Sequence, residues 1–195
     1  MIYQFIMTLL LLIFYIAYFA KQCSLKKHRI HTNRLAKGTK PQKTQTIETF
    51  LLFTTYITAA VQFCSVFFFS YMGNFVPPAT VRIAGISVTS FGVIFFLLAI
   101  TTMRHNWRAG IDETQKTDIV SDGIYRYSRN PAFVGFDLLY IGTSMVFPNI
   151  PMLLCTILAL TLLHLQILEE EKFLLVVFGE KYSEYKKKAA RYLFF

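Results

Sequence analysis

Charge is scarce in this sequence, and so are the patterns by which soluble proteins hold metals and nucleotide cofactors. Charged residues make up 16% of the 195 residues, against about a quarter in soluble domains, while 54% are apolar. The three cysteines, Cys23, Cys64 and Cys155, have no spacing typical of a metal site or a disulfide framework. No G-x-G pair is present, which excludes a soluble dinucleotide-binding loop. These absences predict one membrane domain over residues 1–195 and no metal centre.

The sequence contains several long apolar runs with few charged residues. Five of them approach the ~20 residues that a helix needs to cross a bilayer, at about 2–20, 47–72, 81–103, 132–147 and 151–168. The last two are separated by a short turn whose Pro148 and Pro151 interrupt a helix. The predicted fold class is therefore an all-α membrane protein with five transmembrane helices, a C-terminal helical hairpin and an interfacial tail.

The basic residues lie between the apolar runs and indicate a topology. Residues 21–46 hold eight Lys or Arg and no acid, whereas the 73–80 and 148–151 loops hold no charge. The positive-inside rule then predicts an integral, multi-pass protein with its N-terminus outside and with the 104–131 loop and C-terminus in the cytoplasm. The net charge of +9 is explained by this topology. No nucleic-acid partner is expected, because no domain-sized basic face remains once the predicted spans are set aside.

The segment 123–135, GIYRYSRNPAFVG, lies at the predicted cytoplasmic start of the fourth span. Asn130 is suited to cap that helix and Pro131 to occupy its first turn. The free amides of this turn, together with Arg126 and Arg129, predict an anion site. Gly135 leaves room for a ligand or for another helix. A basic flank with an aromatic belt, without any ligand, explains the same residue types.

Three consecutive acids, residues 169–171, follow the fifth apolar run. At a helix C-terminus they oppose the macrodipole, so we expect a cationic partner. That partner is an ammonium-bearing ligand or an arginine, from the set Arg104, Arg108, Arg126 and Arg129. Alternatively, the helix continues through about Val177 and the dipole penalty does not arise.

The predicted hairpin also sets which residues lie at the same depth. Antiparallel pairing about the 148–151 turn brings Asn130 level with Glu169, and Asp137 level with residues 161–164. Asp137 is a carboxylate within a span, which by default indicates a functional site with a polar partner. His164 is the first candidate for that partner and Gln166 the second.

The tail after Phe178-Gly179 combines tyrosines and Arg191 with a run of lysines. The glycine is expected to end the preceding helix. The tail is then either a basic helix on anionic lipid or a lid over the 123–135 segment.

Two motifs carry a family resemblance. The first is G-x-Y-R-x-x-R-[HN]-P-x-[YF]-x-G at 123–135, and the second is E-E-x-x-L-x-x-x-F-G-x-x-Y-x-x-Y at 170–185. Together they resemble the isoprenylcysteine carboxyl methyltransferase and phospholipid methyltransferase superfamily of integral membrane enzymes. The resemblance implies a cofactor-binding and catalytic half at 104–192, with S-adenosylmethionine as cofactor. It further implies methyl transfer to a lipophilic acceptor, a prenylcysteine-like carboxylate or a lipid head group, among membrane lipids.

The resemblance also implies roles for individual residues. The cofactor carboxylate would meet Arg129, its ammonium would meet Glu170 or Glu171, and its adenosine would pack on aromatic rings. The implied cofactor-binding residues are Tyr125, Arg129, Asn130, Pro131, Phe133, Gly135, Glu170, Glu171 and Tyr182. The candidate catalytic residues are Arg191, Asp137 and His164. Asn130 departs from the family, which usually has His at that position.

Other functions stay open at this stage. Within methyl transfer, a phospholipid N-methyltransferase-like activity is the alternative to carboxyl methylation. NADPH-dependent membrane reductases have a similar R-[HN]-P hairpin, although they usually have more spans. A small membrane scaffold, whose charges only set its topology, is the non-enzyme alternative. The acceptor and the oligomeric state are not indicated by the sequence.

Overall fold

The computed structural model describes residues 1–27, 35–37, 40–72, 75–107 and 118–193, and most of these residues are helical. Within them the α-helices are α1 (Ile2–Lys27), α2 (Gln42–Phe67), α3 (Phe69–Met72), α4 (Ala79–Thr102), α5 (Pro131–Val146), α6 (Ile150–Phe178) and α7 (Glu180–Lys188). Short 3-10 turns cover Arg104–Asn106 and Gly123–Arg126. Extended backbone pairs in the described ranges at an isolated bridge between Ser128 and Ala190.

Four of these helices, α1, α2, α4 and α6, are long and apolar enough to cross a membrane. The predicted all-helical membrane class is thus confirmed. α5 is apolar as well, but its 16 residues are fewer than the ~20 that a straight span needs. The predicted second run, 47–72, is not one helix, because it is interrupted at Phe68 between α2 and α3.

α6 extends well past residue 168, where the sequence predicted its end. The alternative expectation, a helix continuing through the acidic residues, is correct. Glu171 is buried in this helix beside two arginines, so the charge does not force the helix to stop. The helix ends instead at Gly179, as predicted, where φ is +53° and glycine adopts the left-handed backbone without a steric penalty.

α4 and α5 approach closely through their glycines. A Cβ atom on Gly135 would lie 2.8 Å from the Phe96 Cβ atom and 2.9 Å from the carbonyl oxygen of Gly92. Gly142 faces Thr89 of α4 in the same way. Of the two explanations left open for Gly135, the neighbouring helix is therefore the one that applies, and no space for a ligand remains beside it.

Aromatic rings form much of the core between α1, α4 and α5. The rings of Phe14 and Phe96 stack with centroids 4.2 Å apart, and Phe136 meets Phe14 edge to face at 4.8 Å. Trp107, which as the sole tryptophan is typical of a membrane-interface anchor, is instead buried with its ring edge-on to Tyr18. This aromatic core forms one wall of the site.

Candidate functional site

A cavity of about 220 Å³ lies between α1, α2, α5 and α6. Its walls are mostly apolar and aromatic, and they include the predicted site residue Phe133. The acid in the lining is Glu170, one helical turn from Gln166 on α6. The other lining residues are Tyr15, Tyr18, Phe19, Leu35, Leu51, Leu52, Thr55, Tyr56, Ala59, Phe63, Phe96, Trp107, Ala132, Phe136, Tyr140 and Leu163. Such a cavity suits a ligand with an apolar or aromatic part and one positively charged or hydrogen-bond-donating end.

The polar end of the cavity joins α6 to α2 and to the first loop. The Gln166 amide nitrogen, Nε2, donates to Glu170 Oε1 at 3.0 Å and lies 3.3 Å from Glu48 Oε1. Glu48, which is fully buried in α2, also accepts hydrogen bonds from the Lys40 ammonium and the backbone N–H of Ala36. The Gln166 amide therefore connects Glu170, which lines the cavity, to Glu48, which does not.

Glu171 faces away from the cavity toward two arginines. Its carboxylate accepts from Arg129 Nη2 at 2.8 Å and from Arg191 Nη2 at 2.9 Å. The Glu171 and Arg129 side chains are 6% and 8% exposed, whereas that of Arg191 is 37% exposed. The hydrogen bond to Glu171 raises the pKa of Arg191. Glu171 on α6 thus links Arg129, which lies two residues before α5, to Arg191 in the C-terminal segment.

Arg129 also binds the backbone of that segment. Its Nη1 donates to the carbonyl oxygens of Ala189 and Lys186, and its backbone N–H donates to the Ala190 carbonyl at 2.8 Å. The Ala190 N–H in turn donates to the Tyr127 carbonyl at 3.1 Å. All three nitrogens of the guanidinium predicted to bind the cofactor carboxylate are therefore hydrogen-bonded to the protein itself.

Asn130 and Pro131 stand where the sequence puts them, at the start of α5. Pro131 is the first helical residue and is buried. The Asn130 side chain does not cap the helix, so that part of the prediction is wrong. Its Nδ2 donates instead to the Arg191 carbonyl at 3.1 Å, because the C-terminal segment lies against it.

The tyrosines of the tail pack on the 123–130 segment. The hydroxyl of Tyr185 donates to the Tyr125 carbonyl at 2.6 Å. Tyr182, Tyr185 and Ala189 form a small buried cluster. Burial raises the pKa of Tyr182, of Tyr185 and of the buried Tyr125. The tail therefore covers this segment with neutral phenol groups and holds it by hydrogen bonds.

His164, the first predicted partner of Asp137, is not hydrogen-bonded to it. The His164 ring pairs with the Tyr192 hydroxyl and stacks on its ring, while the Gln166 amide is engaged with Glu48 and Glu170. Asp137 Oδ1 is buried and has no hydrogen-bond partner among the described residues. Equal depth along two antiparallel helices therefore does not by itself produce a hydrogen bond, and His164 is engaged with Tyr192 of the tail instead.

The three consecutive acids point in three directions, as the ~100° step between helix neighbours requires. Glu169 pairs with Lys172 at 2.8 Å and accepts from the Thr44 hydroxyl at 2.9 Å. Glu170 lines the cavity, and Glu171 meets Arg129 of the predicted set together with Arg191, which was not in that set. Arg108, one of the other predicted partners, lies outside the described residues.

Comparison with known proteins decides the family. The family model described as Phospholipid methyltransferase matches residues 80–181, which is more than half of the chain. The chain belongs to the phospholipid methyltransferase family. It is also similar to curated proteins named Protein-S-isoprenylcysteine O-methyltransferase. The one from Schizosaccharomyces pombe is 38% identical over 71 residues, which cover 36% of this chain and 30% of that protein. The one from Xenopus laevis is 34% identical over 110 residues, which cover 54% of this chain and 38% of that protein.

The match to this chain therefore covers only about a third of the length of these relatives. The part matched to the family model runs from α4 into α7 and contains the whole first motif and the second motif as far as residue 181. The cavity walls contributed by α1 and α2 lie before it, and so does Glu48. The motifs gave no indication of Glu48. The available signal was its position: an acid just inside a long apolar run, where an unpartnered charge is costly.

Proposed function

We propose that the protein is an S-adenosylmethionine-dependent methyltransferase that acts on a lipophilic acceptor, with an isoprenylcysteine-like carboxylate as the favoured acceptor. The family and the names of the related proteins support methyl transfer. The observation that carries the proposal is the aromatic cavity with a single acid, Glu170, at its polar end. This combination suits an adenine ring and an ammonium group within one ligand.

The contacts divide the predicted residues between two roles. Glu170 is the acid proposed to meet the cofactor ammonium, because Glu171 is already neutralised by two arginines. Phe133, in the cavity wall, is proposed to pack on the adenosine. The proposed structural residues, which hold the tail against α5 and α6, are Tyr125, Arg129, Asn130, Pro131, Glu171, Tyr182 and Arg191.

S-adenosylmethionine supplies a methyl group on a sulfonium, which is already an activated leaving group. The residues of the chain then have to align the acceptor and keep water away from it. A carboxylate acceptor requires no general base. Asp137, whose Oδ1 has no partner in the described structure, is proposed to contact a donor group of the acceptor, while His164 holds the tail through Tyr192.

The proposed topology has five spans, with α5 as a short fifth that pairs with α6 in a hairpin. The N-terminus is placed outside, and the 104–131 segment and tail are placed in the cytoplasm, on the distribution of Lys and Arg. Residues 104–192 are proposed as the catalytic half of a single domain, with α7 at the membrane interface. A lipophilic acceptor would reach the cavity from the bilayer.

Equilibrium binding of S-adenosylmethionine to the detergent-purified protein tests the cofactor assignment. Glu170→Gln is expected to weaken binding at least tenfold, because a charge-assisted contact to a cation is worth about 1.5–3 kcal/mol. Glu169→Gln is the matched control, since it removes the neighbouring acid outside the cavity, and it should bind like the wild type. Absence of binding by the folded wild-type protein would contradict the proposed function.

The acceptor class requires a separate assay. Transfer of a labelled methyl group to a farnesylcysteine analogue is the expected activity. Phosphatidylethanolamine is the second substrate to test, because the description of the matched family names phospholipid methyltransferases. Methylation of the phospholipid alone would replace the first acceptor class with the second.

A further inference from the structure

Gln166 carries an unsatisfied hydrogen-bond acceptor in the wall of the cavity. Its side chain is fully buried, and its Nε2 is occupied by Glu170 and Glu48. Its carbonyl oxygen, Oε1, has no hydrogen-bond partner among the described residues. A buried polar atom without a partner costs free energy, so such an atom in a cavity wall points to a ligand that satisfies it.

The orientation of this amide is fixed from outside the cavity. If the amide turned over, Oε1 would face the carboxylate oxygens of both Glu48 and Glu170, and the two hydrogen bonds that Nε2 donates would be lost. Glu48 itself is held by Lys40 and by the backbone N–H of Ala36. Glu48 therefore keeps Gln166 Nε2 directed at the two carboxylates and leaves Gln166 Oε1 available to accept a hydrogen bond from a ligand.

We propose that Gln166 is a ligand-binding residue, that its Oε1 and the Glu170 carboxylate together accept hydrogen bonds from a primary ammonium group, and that Glu48 is the positioning residue that orients it. An ammonium group has three N–H donors and no acceptor, so it can satisfy a carboxylate and an amide oxygen at the same time. The inference rests on the proposed function, in which that ammonium belongs to the amino-acid end of the cofactor. Glu48 lies outside the part of the chain matched to the family, so the N-terminal helices take part in recognition.

Two probes that differ only in the amino group test the role of Gln166. They are S-adenosylhomocysteine and its desamino analogue, titrated against the intact protein in detergent. Gln166→Met keeps the side-chain length and removes the amide, and we expect it to weaken S-adenosylhomocysteine about tenfold, the effect of about one hydrogen bond to a charged group. The desamino analogue should bind the variant and the wild type within about twofold, because it lacks the donor.

Gln4→Met is the matched control for this substitution. Gln4 is a partly buried glutamine of α1 whose Nε2 donates to the Val66 carbonyl at 3.1 Å, and it does not line the cavity. Both probes are expected to bind this variant as they bind the wild type. Equal weakening of both probes by Gln166→Met, or no weakening of either, would overturn the assignment of Gln166.

A double-mutant cycle tests the positioning role of Glu48. Glu48→Gln, made together with Lys40→Met so that no buried ammonium is left without its acid, is expected to weaken S-adenosylhomocysteine severalfold. In the Gln166→Met background the same two substitutions should not weaken S-adenosylhomocysteine binding any further, because Glu48 acts through the Gln166 amide. Equal losses in the two backgrounds would mean a general structural effect and would refute the positioning role. A second pair, Lys40→Met with Glu48→Leu, repeats the cycle if the first is poorly folded.

The outcomes separate this inference from the proposed function. If the folded wild-type protein binds neither S-adenosylmethionine nor S-adenosylhomocysteine, both fail together. If the wild type binds and Glu170→Gln weakens binding, while Gln166→Met leaves the preference for the amino group intact, the proposed function stands and this inference alone is wrong.

Discussion

Replacing Glu171 with glutamine should release the C-terminal segment without abolishing the helical fold. The glutamine keeps the side-chain size but removes the charge that two guanidinium groups share. Loss of one member of a buried pair costs about 3–5 kcal/mol, whereas an exposed pair is worth about 0–1 kcal/mol. Arg129 is buried and Arg191 is partly exposed, so we take the lower end, about 3 kcal/mol. That corresponds to about a hundredfold change in the docking equilibrium of the tail.

Amide hydrogen exchange measures this equilibrium directly. The backbone N–H groups of Arg129 and Ala190 are hydrogen-bonded across the junction, so their protection should fall by about two orders of magnitude in Glu171→Gln. Glu169→Gln is the matched control, because its partner Lys172 is 65% exposed, and exchange should change by less than about fivefold. If the two variants exchanged alike, the argument that burial makes Glu171 the anchor of the tail would be refuted.

Two further predictions concern packing and pH. Gly142→Ala would place its Cβ atom 2.6 Å from the carbonyl oxygen of Gly85 in α4, so we expect a loss of about 1–3 kcal/mol, seen as a lower midpoint of thermal unfolding in detergent. Burial raises the pKa of Tyr182 and Tyr185, so above about pH 10 the released tail loses phenol protons that the docked tail keeps. Docking should therefore weaken as the pH rises past that value, and a phenolate titration that Tyr182→Phe leaves unaltered would contradict this.

The sequence predicted correctly those features that single residues or short patterns determine. Pro131 begins α5 because its ring fits the first turn, and Gly179 ends α6 because it adopts a positive φ. The depth rule for an antiparallel pair also brought the arginine before α5 level with the acids of α6, and Arg129 and Glu171 do meet. Each of these outcomes depends on backbone sterics or on the rise per residue of a helix. Both properties follow directly from the order of residues in the sequence.

Direction around a helix was harder to predict, because it depends on what packs against each face. The motif presents Glu170 and Glu171 as equivalent, yet one turns to the aromatic cavity and the other to two guanidinium groups. The difference arises from α1 and α2, which close the cavity on one side, and from the tail, which covers the other. A motif therefore identifies the helix that carries a site, and the partners from outside the motif, here Glu48 above all, determine which of its side chains face the ligand.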